Sequence, residues 1–292
     1  MRVAVTEVAS LVFDDGSPVR AASAIAAFGD GWLIAQDDAT QAAWWRGAGV
    51  TAVRVADPVD GLEVFSEAAG TKHLKPDFEA ACAVPEGVLL LGSGSTAARM
   101  RASLVSATGF TVADLTPVYH DVAAALGIAV EALNLEGAFL LGDRLRWFQR
   151  GNPAAGAPTA GVDVDAAALI AAVRTGRAGV VEVGEVRRYD LGRIGGVALG
   201  VTDAVPLPDG RVLVSAAAED TPNAVDDGPV AGAALALLDD DGVVAMCALP
   251  GPYKVEGLAI SETATDGLGL IAVVDADDPA VPSQRLALRL WW

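Results

Sequence analysis

The stretch LNLEGAFLLGDRLRWFQRGN, residues 133–152, contains the pattern that decides the fold of this chain. An apolar run with an acidic residue near its start, Glu136, leads into a turn at Gly142 and Asp143. A second apolar run follows and ends in the polar residues 149–152. Because glycine accepts the positive φ angles of tight turns, the segment predicts two antiparallel strands joined as a hairpin.

The same arrangement occurs five times along the 292 residues, and in four of the repeats an acidic residue lies within the first strand. These acids are Glu79, Glu136, Asp203 and Glu256, at intervals of 57, 67 and 53 residues. Self-similarity at this period in a β-rich chain is typical of propeller blades. We therefore predict an all-β fold in which residues 1–292 form a single β-propeller domain. Five blades are expected, with six as the alternative.

The fifth repeat supplies only three strands, and these lie between residues 254 and 292. The N-terminal run RVAVTEVAS, residues 2–10, is the expected fourth strand. A strand borrowed from the other end of the chain closes the ring and removes an open sheet edge.

Two segments interrupt the strand pattern and predict short inserted helices. TPVYHDVAAALG has Thr116 as the expected N-cap, Pro117 at the first helical position and Gly127 after the last turn. DAAALIAAVRTG has Asp165 as the expected cap and Gly176 as its end.

Composition limits the classes of partner and the compartment. The formal charge of −18 argues against nucleic acid and anionic membranes, which demand a basic surface, but suits cations or small molecules. No apolar run approaches the roughly 18 residues of a membrane span. The N-terminus resembles a strand rather than a signal peptide, so we expect a cytoplasmic protein. Cys82 and Cys247 lie in apolar runs and are expected to be buried thiols. The sequence leaves the oligomeric state open.

Polar residues at alternate positions of the first strands point to one site. In a blade, the start of the first strand and the end of the second meet on the same face of the ring, and alternate residues share one side of a strand. Charges on an innermost strand are costly unless they pair or bind something. The residues that meet this condition are Lys75, Asp77, Glu79, Asn134, Glu136, Lys254 and Glu256.

Oxygen ligands from four blades favour a hard cation such as Ca²⁺ at the channel mouth. The predicted metal ligands are Glu79, Glu136, Asp203, Glu256 and Asn134. The expected activity is metal-assisted hydrolysis of a small ester, lactone or phosphoester, in which the ion polarises an oxygen and activates water.

The predicted catalytic residues come from the same face of the ring. Lys75, Arg150 and Lys254 are expected to stabilise developing negative charge. Asp77 or Glu219 is the expected general base.

Two readings without catalysis stay open. Lysine–glutamate pairs in the channel could neutralise one another around ordered water. Alternatively, the propeller could bind a small ligand in its channel, or a protein on its rim, without reacting with it. The fold alone cannot decide between these functions.

Several segments between about residues 73 and 283 resemble an uncharacterised bacterial β-propeller family related to the "esterase-like activity of phytase" group. The segments are KPDFEA, LLLGSGS, LNLEGA, FQRGN, LGVTDA, PDGRVLVSAAAED, KVEGL and VVDADDP. The resemblance implies an acid-lined central site and, in some members, Ca²⁺-assisted hydrolysis. Those members are usually six-bladed or irregular, whereas five repeats are counted here. With only two histidines, a phosphohistidine route is not expected.

Overall fold

The computed structural model describes residues 1–177, 179–221, 228–251, 253–275, 278 and 281–292. Five four-stranded antiparallel sheets form the blades of a propeller, and a two-stranded hairpin lies between the third and fourth blades. The predicted all-β propeller of five blades is confirmed.

The strands follow the chain from the channel outwards in each blade. Blade 1 contains β2 (Ala22–Phe28), β3 (Gly31–Gln36), β4 (Gln41–Arg46) and β5 (Gly49–Arg54). Blade 2 contains β6 (Phe78–Val84), β7 (Gly87–Gly92), β8 (Arg101–Ser106) and β9 (Gly109–Asp114). Blade 3 contains β10 (Leu135–Leu141), β11 (Arg144–Gln149), β12 (Ala160–Asp165) and β13 (Val183–Arg188). The hairpin is β14 (Arg193–Ile194) and β15 (Val197–Ala198). Blade 4 contains β16 (Gly200–Pro206), β17 (Val212–Glu219), β18 (Val230–Asp239) and β19 (Gly242–Ala248). Blade 5 contains β20 (Val255–Ala264), β21 (Gly267–Val274), β22 (Gln284–Trp291) and β1 (Arg2–Ser10).

The ring closes through both its inner and its outer strands. The inner strand of each blade contacts the inner strands of the two neighbouring blades, and β20 returns to β2. The N-terminal strand β1 pairs with β22, from Arg2 opposite Trp291 to Ser10 opposite Gln284. This pairing confirms that the N-terminal run completes the last blade.

The core lies between the blades, so the first two strands of most blades are buried on both faces. Leu89 and Leu90 are adjacent in β7, point to opposite faces and are both fully buried. Between blades 2 and 3, the rings of Tyr119 and Trp147 meet edge to face with centroids 4.9 Å apart. Burial on both faces explains why the strands are continuous apolar runs rather than alternating patterns.

Both predicted helices are present and pack against the outer strands of blades 2 and 3. They are α1 (Thr116–Leu126) and α2 (Ala166–Thr175). Asp165 caps α2 by accepting the Ala168 N–H at 2.8 Å, as predicted. The expected N-cap of α1 was wrong by one residue, because Leu115 is the cap and Thr116 begins the helix. Asp114 accepts the Thr116 N–H at 2.8 Å and so replaces the missing cap side chain.

Each inner strand has a β-bulge near its start. The register shifts between Ala22 and Ala24, Phe78 and Ala80, Glu136 and Ala138, Val201 and Asp203, and Val255 and Gly257. A bulge bends the strand and re-aims the side chains around it. Five bulges at one end of the ring therefore shape the mouth of the channel.

Both cysteines are free thiols. The expectation that both are buried holds for Cys82 but not for Cys247, which is half-buried. Among the described residues, no helix has the length and hydropathy to cross a bilayer.

Candidate functional site

A cavity of about 460 Å³ opens where the inner strands begin and the second strands end. Every blade contributes to its wall. The predicted site residues that line it are Lys75, Asp77, Glu79, Asn134, Glu136, Arg150, Glu219, Lys254 and Glu256. The structure therefore brings together at one cavity all the predicted residues except Asp203.

Backbone hydrogen bonds between neighbouring blades fix the wall. The Asp77 N–H donates to the Asp37 carbonyl at 3.1 Å, which links blade 2 to blade 1. The Leu135 N–H donates in the same way to the Ser93 carbonyl at 2.8 Å. Blade 5 is linked to blade 1 differently, because a side-chain oxygen of Asp275 accepts the Ala21 N–H at 2.9 Å. The polar residues at the mouth thus stand on a rigid ring.

Three carboxylates from blades 1 and 2 form the acid triad, Asp37, Asp77 and Glu79. Each offers one oxygen, and these three oxygens lie within 4.8 Å of one another. Asp77 has a φ angle of +57°, which is uncommon for a residue other than glycine. The Asp77 carbonyl accepts the Ser93 N–H at 3.0 Å, so the surrounding strands hold this strained conformation in place.

Two cations pair with only part of the acid triad. The Lys75 ammonium contacts Asp37 and lies 2.6 Å from Asp77 Oδ1. The Arg99 guanidinium lies 3.1 Å from Asp77 Oδ2. Among the described residues, none forms a hydrogen bond or ion pair with the Glu79 carboxylate. Three carboxylates thus face two cations, and one negative charge stays uncompensated.

The pKa values of the acid triad follow this imbalance. Burial raises the pKa of Glu79 well above its ordinary value, and the charges of Asp77 and Asp37 raise it further. Burial also raises the pKa of Asp37, although Lys75 opposes this shift. For Asp77, the cations outweigh burial, so its pKa is lowered. Glu79 is therefore the member of the triad that must take up a proton or a cation.

A second cluster, the Glu136 cluster, joins blades 3, 4 and 5. It consists of Asn134, Glu136, Arg150, Glu219, Lys254 and Glu256. The Arg150 guanidinium lies 2.9 Å from Glu136 Oε1 and also contacts Glu219. The Lys254 ammonium lies 3.3 Å from Glu219 and 2.9 Å from Glu256. Again, three carboxylates face two cations.

Glu136 has one buried oxygen that no described residue satisfies. Its Oε1 atom accepts the Asn134 amide at 2.8 Å as well as contacting Arg150. Its Oε2 atom is buried and has no hydrogen-bond partner within the described residues. Burial raises the pKa of Glu136 to about 7; the Glu256 charge contributes to the shift and Arg150 opposes it. This carboxyl group can therefore exchange a proton near neutral pH.

Most residues of the cavity wall, but not Asp37 of the acid triad, lie in the part of the chain that a family model matches. A family model matches residues 71–279, which include the inner strands of blades 2 to 5. The chain belongs to the "Family of unknown function (DUF6910)". A search of the curated proteins finds no match.

Two solved structures are similar to this DUF6910 member, and the first of them supports the fold alone. A hypothetical protein from Leishmania major is 13% identical, with a TM-score of 0.51, over 98% of this chain and 91% of that one. A protein of unknown function from Dyadobacter fermentans is 11% identical, with a TM-score of 0.41, over 99% of both chains.

Asp203 requires a correction, because this predicted metal ligand of the DUF6910 member faces away from the cavity. Its two oxygens accept the N–H groups of Ala204 at 2.7 Å and Leu258 at 2.6 Å. Asp203 lies after the bulge of β16, whereas Glu136 lies before the bulge of β10. The carboxylates expected to share one ion with Asp203 are also divided, since Glu79 lies in the acid triad and Glu256 in the Glu136 cluster.

Two residues in or beside the acid triad, Arg99 and Asp37, were not predicted as site residues. Arg99 is fully buried beside Asp77, yet it follows β7 in a short 3₁₀ turn that lies outside the repeat pattern. Asp37 was not named among the candidate residues of the site. Its position directly after β3, at the end of a second strand, was the signal for it.

Proposed function

We propose that the channel mouth is the active site of a small-molecule hydrolase, and that the acid triad holds a divalent cation there. The observation that carries this proposal is the position of Glu79. Its carboxylate is within 4.8 Å of two others and has no bonded partner among the described residues. Divalent cations such as Ca²⁺ select such groups of carboxylate oxygens.

The acid triad fits a divalent cation, although two of its carboxylates already contact the Lys75 ammonium. Lys75 and Arg99 neutralise two of the three charges in the triad. Glu79 supplies the remaining charge, and Asn134 and Asp275 line the same wall with further oxygens. The expected ligands are therefore Asp37, Asp77 and Glu79. Glu136 and Glu256 are not included, since both are paired with the cations of the second cluster.

A bound cation would polarise the carbonyl or phosphoryl oxygen of the substrate and lower the pKa of water. The protein's own residues do the rest. Arg150 and Lys254 hold the carboxylates of the Glu136 cluster in place and offset their charge. Both cations lie in the cavity wall, where they would also stabilise negative charge that develops on the substrate.

Glu136 suits the role of general base better than the two residues predicted for it. The lowered pKa of Asp77 makes this carboxylate a weak base. Glu219 has one oxygen on Arg150, and its other oxygen accepts the Gly228 N–H at 2.8 Å. Glu136 has a pKa of about 7 and an unsatisfied oxygen, so it can take a proton from water at neutral pH.

The resemblance to the phytase-related propellers also supports this proposal, since it implies Ca²⁺-assisted hydrolysis in some members of that group. The compartment and the small-molecule partner stay predictions.

One observation favours the alternative of a binding protein without a metal. The Lys75 ammonium already contacts two members of the triad, so an internal cation occupies part of the space. In that case Glu79 stays protonated, and the cavity binds an organic ligand through its polar wall.

Cation binding can be tested without knowing the substrate. After treatment with EDTA, thermal unfolding would be followed with Ca²⁺, Mg²⁺ and Mn²⁺ in turn. A cation that binds only the folded protein raises the midpoint temperature of unfolding. At a cation concentration one hundred times Kd, the free energy of unfolding increases by about 2.7 kcal/mol. Glu79→Gln should remove this gain. Glu262→Gln is the matched control, because its side chain is 71% exposed. The metal-dependent proposal is wrong if no cation shifts the wild-type midpoint.

A further inference from the structure

We propose that the channel mouth takes an uncharged small molecule rich in hydroxyl groups, so that its esters or lactones, rather than its phosphoesters, are the substrates. This inference rests on the proposed function, because it assigns a substrate class to the same cavity. Of the three bonds that the sequence left open, it keeps the ester and the lactone and excludes the phosphoester.

The cations of the cavity wall are already engaged by the protein. Lys75, Arg150 and Lys254 each contact two carboxylates. Arg99 contacts Asp77 and donates to the Ser95 hydroxyl at 2.8 Å. Arg193, at the rim, donates to the Gly196 carbonyl at 2.9 Å. A phosphate group would have to displace an internal carboxylate from Lys75, Arg150 or Lys254, whereas at Arg193 it would compete with a backbone carbonyl.

The charge of the wall also opposes an anion. Within its described residues, the wall contains eight carboxyl groups and five cations. When all are ionised, the surplus is three negative charges. A divalent cation on the acid triad would still leave one of them. Like charges placed together at a binding surface weaken binding, so an anionic ligand is selected against.

Among the described residues, the unpaired buried atoms of the wall are an acceptor, Glu136 Oε2, and a donor, Arg99 Nε, whereas Asp77 Oδ1 lies 2.6 Å from the Lys75 ammonium. Glu136 is 4% exposed, and its Oε2 atom is buried without a partner among the described residues. A buried acceptor without a donor costs about 1–3 kcal/mol, which a ligand donor recovers. A hydroxyl group can donate to Glu136 and also accept from a neighbouring cation.

The size and composition of the cavity fit such a ligand. Its volume of about 460 Å³ suits a small molecule. None of the described residues that line it is aromatic. A planar ring would find no stacking surface there, so recognition depends on hydrogen bonds.

The test uses two esters that differ by a single phosphate group, 1-acetylglycerol and 1-acetylglycerol 3-phosphate. Each would be titrated into the ¹⁵N-labelled protein, once with EDTA and once with Ca²⁺. The backbone amide signals of Asn134, Glu136 and Arg150 report on the wall. We expect the uncharged ester to shift these signals saturably. The phosphorylated ester should bind at least about tenfold more weakly under both conditions, as expected for the loss of roughly 1.4 kcal/mol.

Glu136→Gln tests the assigned acceptor. Replacing a charged acceptor by a neutral one should weaken binding of the uncharged ester about fivefold, whereas Glu262→Gln should leave it unchanged. If Glu136→Gln does not fold, the comparison of the two esters on the wild-type protein still decides. Equal or tighter binding of the phosphorylated ester would overturn the inference, as would failure of the uncharged ester to bind. The proposed cation site would survive either result, because its own titration contains no organic ligand.

Discussion

Asp203 of blade 4 accepts the backbone N–H of Leu258 in blade 5 at a distance of 2.6 Å. A carboxylate that the repeat pattern places among the ligands is thus a connector between two blades. Its other oxygen accepts the Ala204 N–H, so both of its oxygens are used by the backbone.

Asp203→Asn should therefore reduce stability without affecting the cavity. The asparagine amide can accept only one of the two bonds, and its NH₂ group then faces a backbone donor. We expect a loss of about 2 kcal/mol in the free energy of unfolding, measured by urea denaturation. Cation binding should be unchanged. Loss of cation binding in a variant that stays folded would return Asp203 to the site.

Gly137 marks the closest approach of blades 3 and 4. A Cβ atom built on it would lie 2.8 Å from the Ala204 nitrogen, and its φ angle is +68°. Gly156 has the same φ angle, but a Cβ there would meet nothing within 4 Å. Substitution at Gly156 therefore measures backbone strain alone, whereas substitution at Gly137 measures the same strain together with a steric clash.

Gly156→Ala should cost about 1 kcal/mol, the usual penalty for a left-handed conformation. Gly137→Ala should cost at least about 2 kcal/mol more, because the backbone of β16 cannot move aside without opening the ring. Urea denaturation of both variants gives the difference. Equal losses would show that the blades are not in tight contact at this point.

Strand β1 closes blade 5 by pairing with β22. Met1, Val3 and Val5 pack against the core cluster that includes Leu286, Leu288 and Leu290. Removing residues 1–10 would expose the edge of β22 and this apolar surface. We expect a loss of about 3 kcal/mol or more, together with association visible in size-exclusion chromatography.

The matched control for this deletion is Glu7→Ala. Glu7 pairs with Arg285 at 2.6 Å, but its side chain is 54% exposed. Its loss should change stability by less than about 1 kcal/mol. A truncated chain that stays monomeric and as stable as the full one would show that the ring does not need β1.

Glu136 should make stability depend on pH in a defined direction. Its pKa is 4.5 ordinarily and about 7 in the folded chain, so between these values the folded state holds a proton that the unfolded state has lost. This contribution is fully present below pH 4.5 and is lost as the pH rises through about 7. At 1.36 kcal/mol per pH unit, it amounts to about 3 kcal/mol.

The measurement compares wild type with Glu136→Gln in EDTA across this range. The difference in unfolding free energy between the two proteins should fall by about 3 kcal/mol from pH 4.5 to 7.5. Carboxyl groups remote from Glu136 titrate alike in both proteins, so their contributions cancel, whereas Glu256 interacts with Glu136 and contributes to the difference. A difference that is flat or rises with pH would contradict the buried, unsatisfied position of Glu136.

Most of the fold could be predicted from the sequence, because it depends on local signals that repeat. Hairpin turns such as the one at Gly142 mark strand pairs, and the repeat count fixes the ring. Closure by β1 followed from the missing strand in the last repeat. The cap of α1 was misplaced because Asp114, at the end of a strand, supplies the bond usually made by the cap residue.

The sequence predicted where the site lies, but not which side chains pair with one another in it. Alternation along the strands predicted one wall for Lys75, Asp77 and Glu79, and all three line it, although Lys75 and Asp77 precede β6 rather than lying in it. It failed for Asp203, because the bulges that shift the register leave no clear mark in a single sequence. Arg99 lies outside the repeats, and only the folded ring shows that it neutralises Asp77.

The most direct test of the cation site is a crystal structure of the protein grown with Mn²⁺, with diffraction recorded at a wavelength where manganese scatters anomalously. We predict an anomalous peak within coordinating distance of Asp37, Asp77 and Glu79, and its absence in the Glu79→Gln variant. A wild-type map with no peak there, and with the Lys75 ammonium still lying between Asp37 and Asp77, would contradict the proposed metal-dependent function.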